Sequence, residues 1–132
     1  HPEFNRLAFM LRQSLDSNNM IAAQQTFLRM ESLKISIGVH ERTLLRYAEA
    51  LGRLKQWTDA IRPLAIVVNQ QAELGDDAAL RLAQIQLRIL KRPDQATLTL
   101  QKIRVPEGEV ADESKRRKLE KRDELLRIAR GI

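Results

Sequence analysis

Apolar positions recur along the chain at three- and four-residue intervals, which is the period of a helix lying on a core. Seven helices are predicted, over about 5–15, 20–34, 39–55, 58–74, 77–90, 93–102 and 111–130. The second shows the pattern clearly, with Ala23, Phe27 and Met30 on one stripe and Met20 a turn earlier. The third places Leu44, Tyr47, Ala48, Leu51 and Leu54 on one face, and the fifth Leu80, Ala83, Leu87 and Leu90. Ile35-Ser36-Ile37-Gly38 is the one short strand-like stretch, and its glycine suits a connection between helices better. Asp16-Ser17-Asn18-Asn19 reads as a polar turn whose side chains cap the next helix. Gly75 is expected to close the fourth helix, and Pro63 to bend it or delay its start, because proline removes a backbone donor.

Three segments superimpose on one another. Met20, Ala23 and Phe27 correspond to Trp57, Ala60 and Leu64, and to Pro93, Ala96 and Leu100, with the alanines 37 and 36 residues apart. A helix precedes each, with Leu11, Ala48 or Ala83 about a dozen positions upstream. An alanine where two helices approach most closely lets their backbones come near, and the large residue four positions on fills the space beside it.

This period and pattern resemble the tetratricopeptide repeat, a helix–turn–helix of about 34 residues. The middle segment carries the likeness best, through Leu44, Tyr47, Ala48, Leu51, Trp57, Ala60 and Leu64. The likeness spans about residues 5–105. It departs from the family in lacking most signature glycines and terminal prolines, and in repeats two or three residues long. A related helical-hairpin solenoid or an irregular bundle also accommodates the pattern. The resemblance implies an all-α, right-handed α-solenoid of three hairpins over 5–110, closed by a C-terminal capping helix over 111–132. His1-Pro2-Glu3-Phe4 reads as a cloning remnant and is set aside. The repeat-packing residues are then Ala23, Phe27, Ala48, Trp57, Ala60, Leu64, Ala83, Ala96 and Leu100.

Composition narrows the function. Apolar residues make up 43% of the 132 and charged residues 30%, which suits one globular domain. No cysteine is present, so thiol chemistry and disulfides are excluded. No apolar run approaches the roughly 18–20 residues needed to span a bilayer. A cytoplasmic location is expected, or the cytosolic side of a larger protein, with any membrane contact made through an adjoining domain. Outside the first four residues the one histidine is His40, beside Glu41 near a helix start, where a surface or capping role is expected. No metal-ligand spacing and no phosphate-binding glycine loop occurs, and Ser14, Ser17, Ser32, Ser36 and Ser114 have no histidine-centred arrangement to activate them. No enzyme, cofactor or metal is expected.

The resemblance implies a protein-binding scaffold. In such solenoids the first helix of each hairpin lines a concave groove. Here that groove would hold Arg12, Arg42, Leu45, Glu49, Arg53, Leu80, Gln84 and Arg88, a set suited to an acidic, partly apolar peptide. The lysine and asparagines with which some family members clasp acidic C-terminal chaperone tails are absent, because their positions hold Ala8, Arg12, Leu45 and Glu49. The net charge of +6 favours acidic partners in general. Lys115-Arg116-Arg117-Lys118 opens the alternative of nucleic-acid or anionic-membrane binding through the last helix, although acidic residues dilute the block and nucleic acid is the lesser expectation. Self-association through the open ends of a short stack is a further expectation.

Overall fold

The computed structural model describes residues 1–110 and 112–131. Among these, every regular element is helical: α1 Phe4–Asp16, α2 Met20–Ser32, α3 Glu41–Arg53, α4 Trp57–Gln70, α5 Gly75–Arg88, α6 Pro93–Gln101 and α7 Glu113–Ala129. A single 3-10 turn, Ser36–Gly38, joins α2 to α3. Consecutive helices pack on one another as α1 with α2, α3 with α4 and α5 with α6, and α4 also packs on α5. The last helix, α7, lies across α5 and α6.

The helix starts follow local chemistry. The Asn19 side chain accepts from the Ala22 amide at 3.1 Å and opens α2. His40 Nδ1 accepts from the Arg42 amide at 3.1 Å and opens α3, which gives this histidine a capping role. Asp112 accepts from the Ser114 amide at 2.9 Å at the start of α7. The expected first residue of that helix, Ala111, lies outside the described residues.

The helix ends depart from expectation. Left-handed backbone occurs at Asn18, Lys34, Lys55, Gln71 and Lys91, none of them glycine. After α1, α2 and α3 the chain folds back through 6→1 hydrogen bonds, from Asn19 to Ser14, Ile35 to Met30 and Gln56 to Leu51. Gln71, not Gly75, ends α4, and Gly75 is the first residue of α5. Val39 belongs to the extended connection and is buried, and α3 begins two residues later. Pro63 neither delays nor stops α4, which starts six residues earlier and runs on to Gln70 with the proline ring buried. The left-handed residues have a period of their own. Asn18, Lys55 and Lys91 stand 37 and 36 residues apart, and Lys34 and Gln71 stand 37 apart. Those are the intervals of Ala23, Ala60 and Ala96, so the backbone repeats with the sequence.

One core runs the length of the molecule. Ala23, Ala83 and Ala96 are fully buried, Ala60 and Ala48 nearly so, and Leu11, Met30, Leu44, Leu51, Leu64, Val67 and Leu100 fill the space around them. Leu125 and Leu126 carry α7 onto the same core. Polar links join helices of neighbouring pairs: Asp16 with Arg46 at 2.7 Å, Glu31 with Arg62 at 2.7 Å, Glu49 with Arg81 at 3.2 Å, and Lys102 with Asn69 at 3.3 Å. Glu41, buried at the start of α3, accepts from the Leu74 amide at 2.8 Å at the entry to α5. Two of the first four residues engage the fold. Glu3 pairs with Arg6 and Arg29, and half-buried Phe4 packs beside Gly38, where a methyl group would stand 3.3 Å from its ring.

Two substitutions test this packing. Ala23→Leu forces three more carbons into a site with no exposure and should cost about 1–3 kcal/mol in urea unfolding. Lys55→Gly relieves a left-handed side-chain residue at a helix end and should raise stability by about 0.5–1 kcal/mol, measured in the same way.

Candidate binding cleft

Beside Trp57 the packing opens into a cleft of about 550 Å³ between α3, α4 and α5, within the usual range for ligand sites. Ala48 and Gly52 of α3, Trp57, Ala60 and Leu64 of α4, and Ile85 with Ile89 at the end of α5 form its apolar lining. Glu49, Arg53, Arg81, Gln84 and Arg88 supply the polar groups. Their arrangement is helical bookkeeping. Ala48, Glu49, Gly52 and Arg53 share one face of α3, and Arg81, Gln84, Ile85 and Arg88 share one face of α5.

Gly52 matters here for space. A methyl group at this position would stand 3.1 Å from the Trp57 ring, so its absence lets the indole lie against α3. Trp57 is only half-buried, since its ring closes one side of the cleft rather than filling the core. Arg81 reaches Glu49 across the cleft at 3.2 Å. Among the described residues neither Arg53 nor Arg88 has a carboxylate within ion-pair distance, and both are exposed.

Of the eight residues expected in a groove, Glu49, Arg53, Gln84 and Arg88 come together here. Leu45 is 8% exposed and belongs to the core, which removes it as a contact residue. Leu80 is half-buried against that core and does not line the cleft. Arg12 and Arg42 are exposed elsewhere on the surface. The four that come together lie between the second and third helical pairs. Arg81, Ile85 and Ile89 were not expected in the groove. Arg81 stands three residues before Gln84 and Ile85 three before Arg88 on α5, so the helical period alone could have found them.

The basic segment of α7 is engaged within the chain. Lys115 pairs with Asp76 and Lys118 with Asp77 at 3.3 Å, both carboxylates lying in the first turn of α5. Arg116 and Arg117 pair with Glu113 at 2.9 and 3.4 Å. Arg122 donates to the Leu100 carbonyl at 3.3 Å, near the end of α6. Among the described residues no group of three or more His, Asp or Glu side chains is placed to hold a metal ion, and no helix is long and apolar enough to cross a membrane.

Tyr47 directly precedes the cleft residue Ala48 on α3. It is 3% exposed, and its ring meets Phe27 with centroids 5.0 Å apart and planes tilted by 39°. Burial pushes its phenol well above the ordinary value of 10.0, and the Asp59 carboxylate adds to the rise. Above about pH 10 the unfolded phenol loses its proton while the folded one keeps it, so the folded state binds more protons and stability falls as pH rises. Urea midpoints taken from about pH 9 to about pH 11 should fall less in Tyr47→Phe than in the parent protein.

Comparison of the chain with family models, with curated proteins and with solved structures finds no match to any of them.

Proposed function

We propose that the chain is a right-handed α-solenoid of three tetratricopeptide-like hairpins, α1–α2, α3–α4 and α5–α6, with α7 as its capping helix. In this reading it is a protein-interaction scaffold of the cytoplasm, or of the cytosolic side of a larger protein, and has no catalytic role. The partner is a protein segment with acidic groups and a large apolar side chain. The recurrence of left-handed turn residues at the alanine period supports the repeat architecture.

The cleft carries the functional reading. Two guanidinium groups without carboxylate partners among the described residues, Arg53 and Arg88, flank an apolar hollow containing Trp57, Ile85 and Ile89. Guanidinium grips a carboxylate through paired hydrogen bonds, and such bonds strengthen beside apolar walls that thin out the water. A segment that inserts an apolar side chain and offers carboxylates on both flanks satisfies every group in the hollow. The nucleic-acid or membrane alternative has less support, because each cation of the 115–118 block already has a carboxylate partner within the chain.

Trp57 is the only tryptophan, so its fluorescence reports occupancy directly. A synthetic peptide with one phenylalanine between two glutamates should shift that fluorescence. Arg53→Glu combined with Arg88→Glu should weaken its binding by about 100-fold or more. Unchanged affinity in the double variant would remove the cleft from consideration.

A further inference from the structure

The cleft contains three arginines and one carboxylate, and the carboxylate is Glu49. Its Oε1 lies 3.2 Å from the Arg81 guanidinium, which reaches it from α5. Both side chains are substantially exposed, Arg81 at 53% and Glu49 at 34%. An exposed pair of this kind contributes little to folding, because water and salt screen the attraction and two long side chains lose freedom to make it. Its larger consequence is electrostatic. The pair cancels one of the three cations facing the hollow and leaves Arg53 and Arg88 to act on a ligand.

We propose that Glu49 is a selectivity residue of the cleft, holding Arg81 so that the site matches a protein segment with two carboxylates around one large apolar side chain. The proposal rests on the cleft-binding reading above. Selectivity depends on the difference between ligands, and a fixed like charge is an effective way to create one. A third ligand carboxylate placed near Arg81 meets Glu49 there. It must displace an existing partner and lie beside a like charge. The first two carboxylates meet arginines with no competing acid.

Removing the negative charge separates these effects. Glu49→Gln keeps the shape of the side chain and its ability to accept from Arg81, but no longer neutralises it. The test uses two synthetic peptides, one with a phenylalanine between two glutamates and a matched one with a third glutamate. Binding is followed through Trp57 fluorescence and by calorimetry. In the parent protein the third glutamate should add little. In Glu49→Gln the three-glutamate peptide should bind about tenfold tighter than it does to the parent. Arg81→Gln made on top of Glu49→Gln should cancel that gain. A gain in affinity cannot arise from a damaged fold, and the double variant's loss is read with a urea midpoint matching that of Glu49→Gln, which shows that its fold is intact.

If the parent protein binds the two-glutamate peptide but Glu49→Gln changes neither affinity, the role of Glu49 is overturned while the cleft reading stands. A gain that survives the added Arg81→Gln also overturns it, since Arg81 would then not be the cation released. If neither peptide binds the parent protein by either method, the cleft reading fails and takes the role of Glu49 with it.

Discussion

A helix can approach its neighbour only as far as the side chains between them permit, and here the buried residues that recur with the repeat are alanines. Ala23, Ala60 and Ala96 on the second helices of the pairs, and Ala48 and Ala83 on the first helices, have almost no exposed surface. A methyl group between packed helices lets their axes come near the lower end of the 8–10 Å common between them. The flanking positions must then be filled by large residues, and Phe27, Leu64 and Leu100 stand four places after the second-helix alanines. The cleft occurs where this rule is relaxed. At Gly52 no side chain fills the gap, Trp57 lies against the bare backbone, and the space beyond the indole stays open.

Charge is arranged on the same frame. Arginines and carboxylates of neighbouring pairs meet along the packed helices, as in Asp16 with Arg46, Glu31 with Arg62 and Glu49 with Arg81. The basic opening of α7 finds Asp76 and Asp77 at the positive end of α5, where carboxylates are favoured by the helix dipole as well as by the lysines. The apolar half of α7, through Leu125 and Leu126, supplies the burial that the ion pairs alone would not. A net charge of +6 therefore does not appear as one cationic face on this helix, and the unmatched arginines of the cleft stand out by contrast.

The helices were legible because their apolar stripes are long and regular. Seven were expected and seven are present among the described residues, with boundaries shifted by a few positions. The shifts at the helix ends share a cause. Glycine is the usual residue where a chain leaves a helix through left-handed backbone, and after α1 to α5 this chain uses lysine, asparagine and glutamine there instead. Gly75 was expected at such a position and begins a helix, while Gln71, which carries no such signal, ends one. The cleft was legible in part. Arg53 and Arg88 could be placed from the helical period, but the burial of Leu45 depends on how neighbouring pairs lean together, which no local pattern encodes. The partner of Arg81 was hidden for the same reason, since Glu49 lies on a different helix.

The hydrogen bond from the Leu74 amide to the Glu41 carboxylate gives the second and third pairs a shared stake in folding. One group belongs to the first turn of α3 and the other to the entry of α5, and the carboxylate is almost enclosed by protein. Divided between the two pairs, the chain would present a fragment with a dehydrated acid lacking its donor, and another with an amide lacking its acceptor. Neither half could regain from water all that it had lost while its surroundings stayed packed. The seam between these pairs is thus a poor place for a protease or an engineer to separate the molecule, although a repeat boundary falls there.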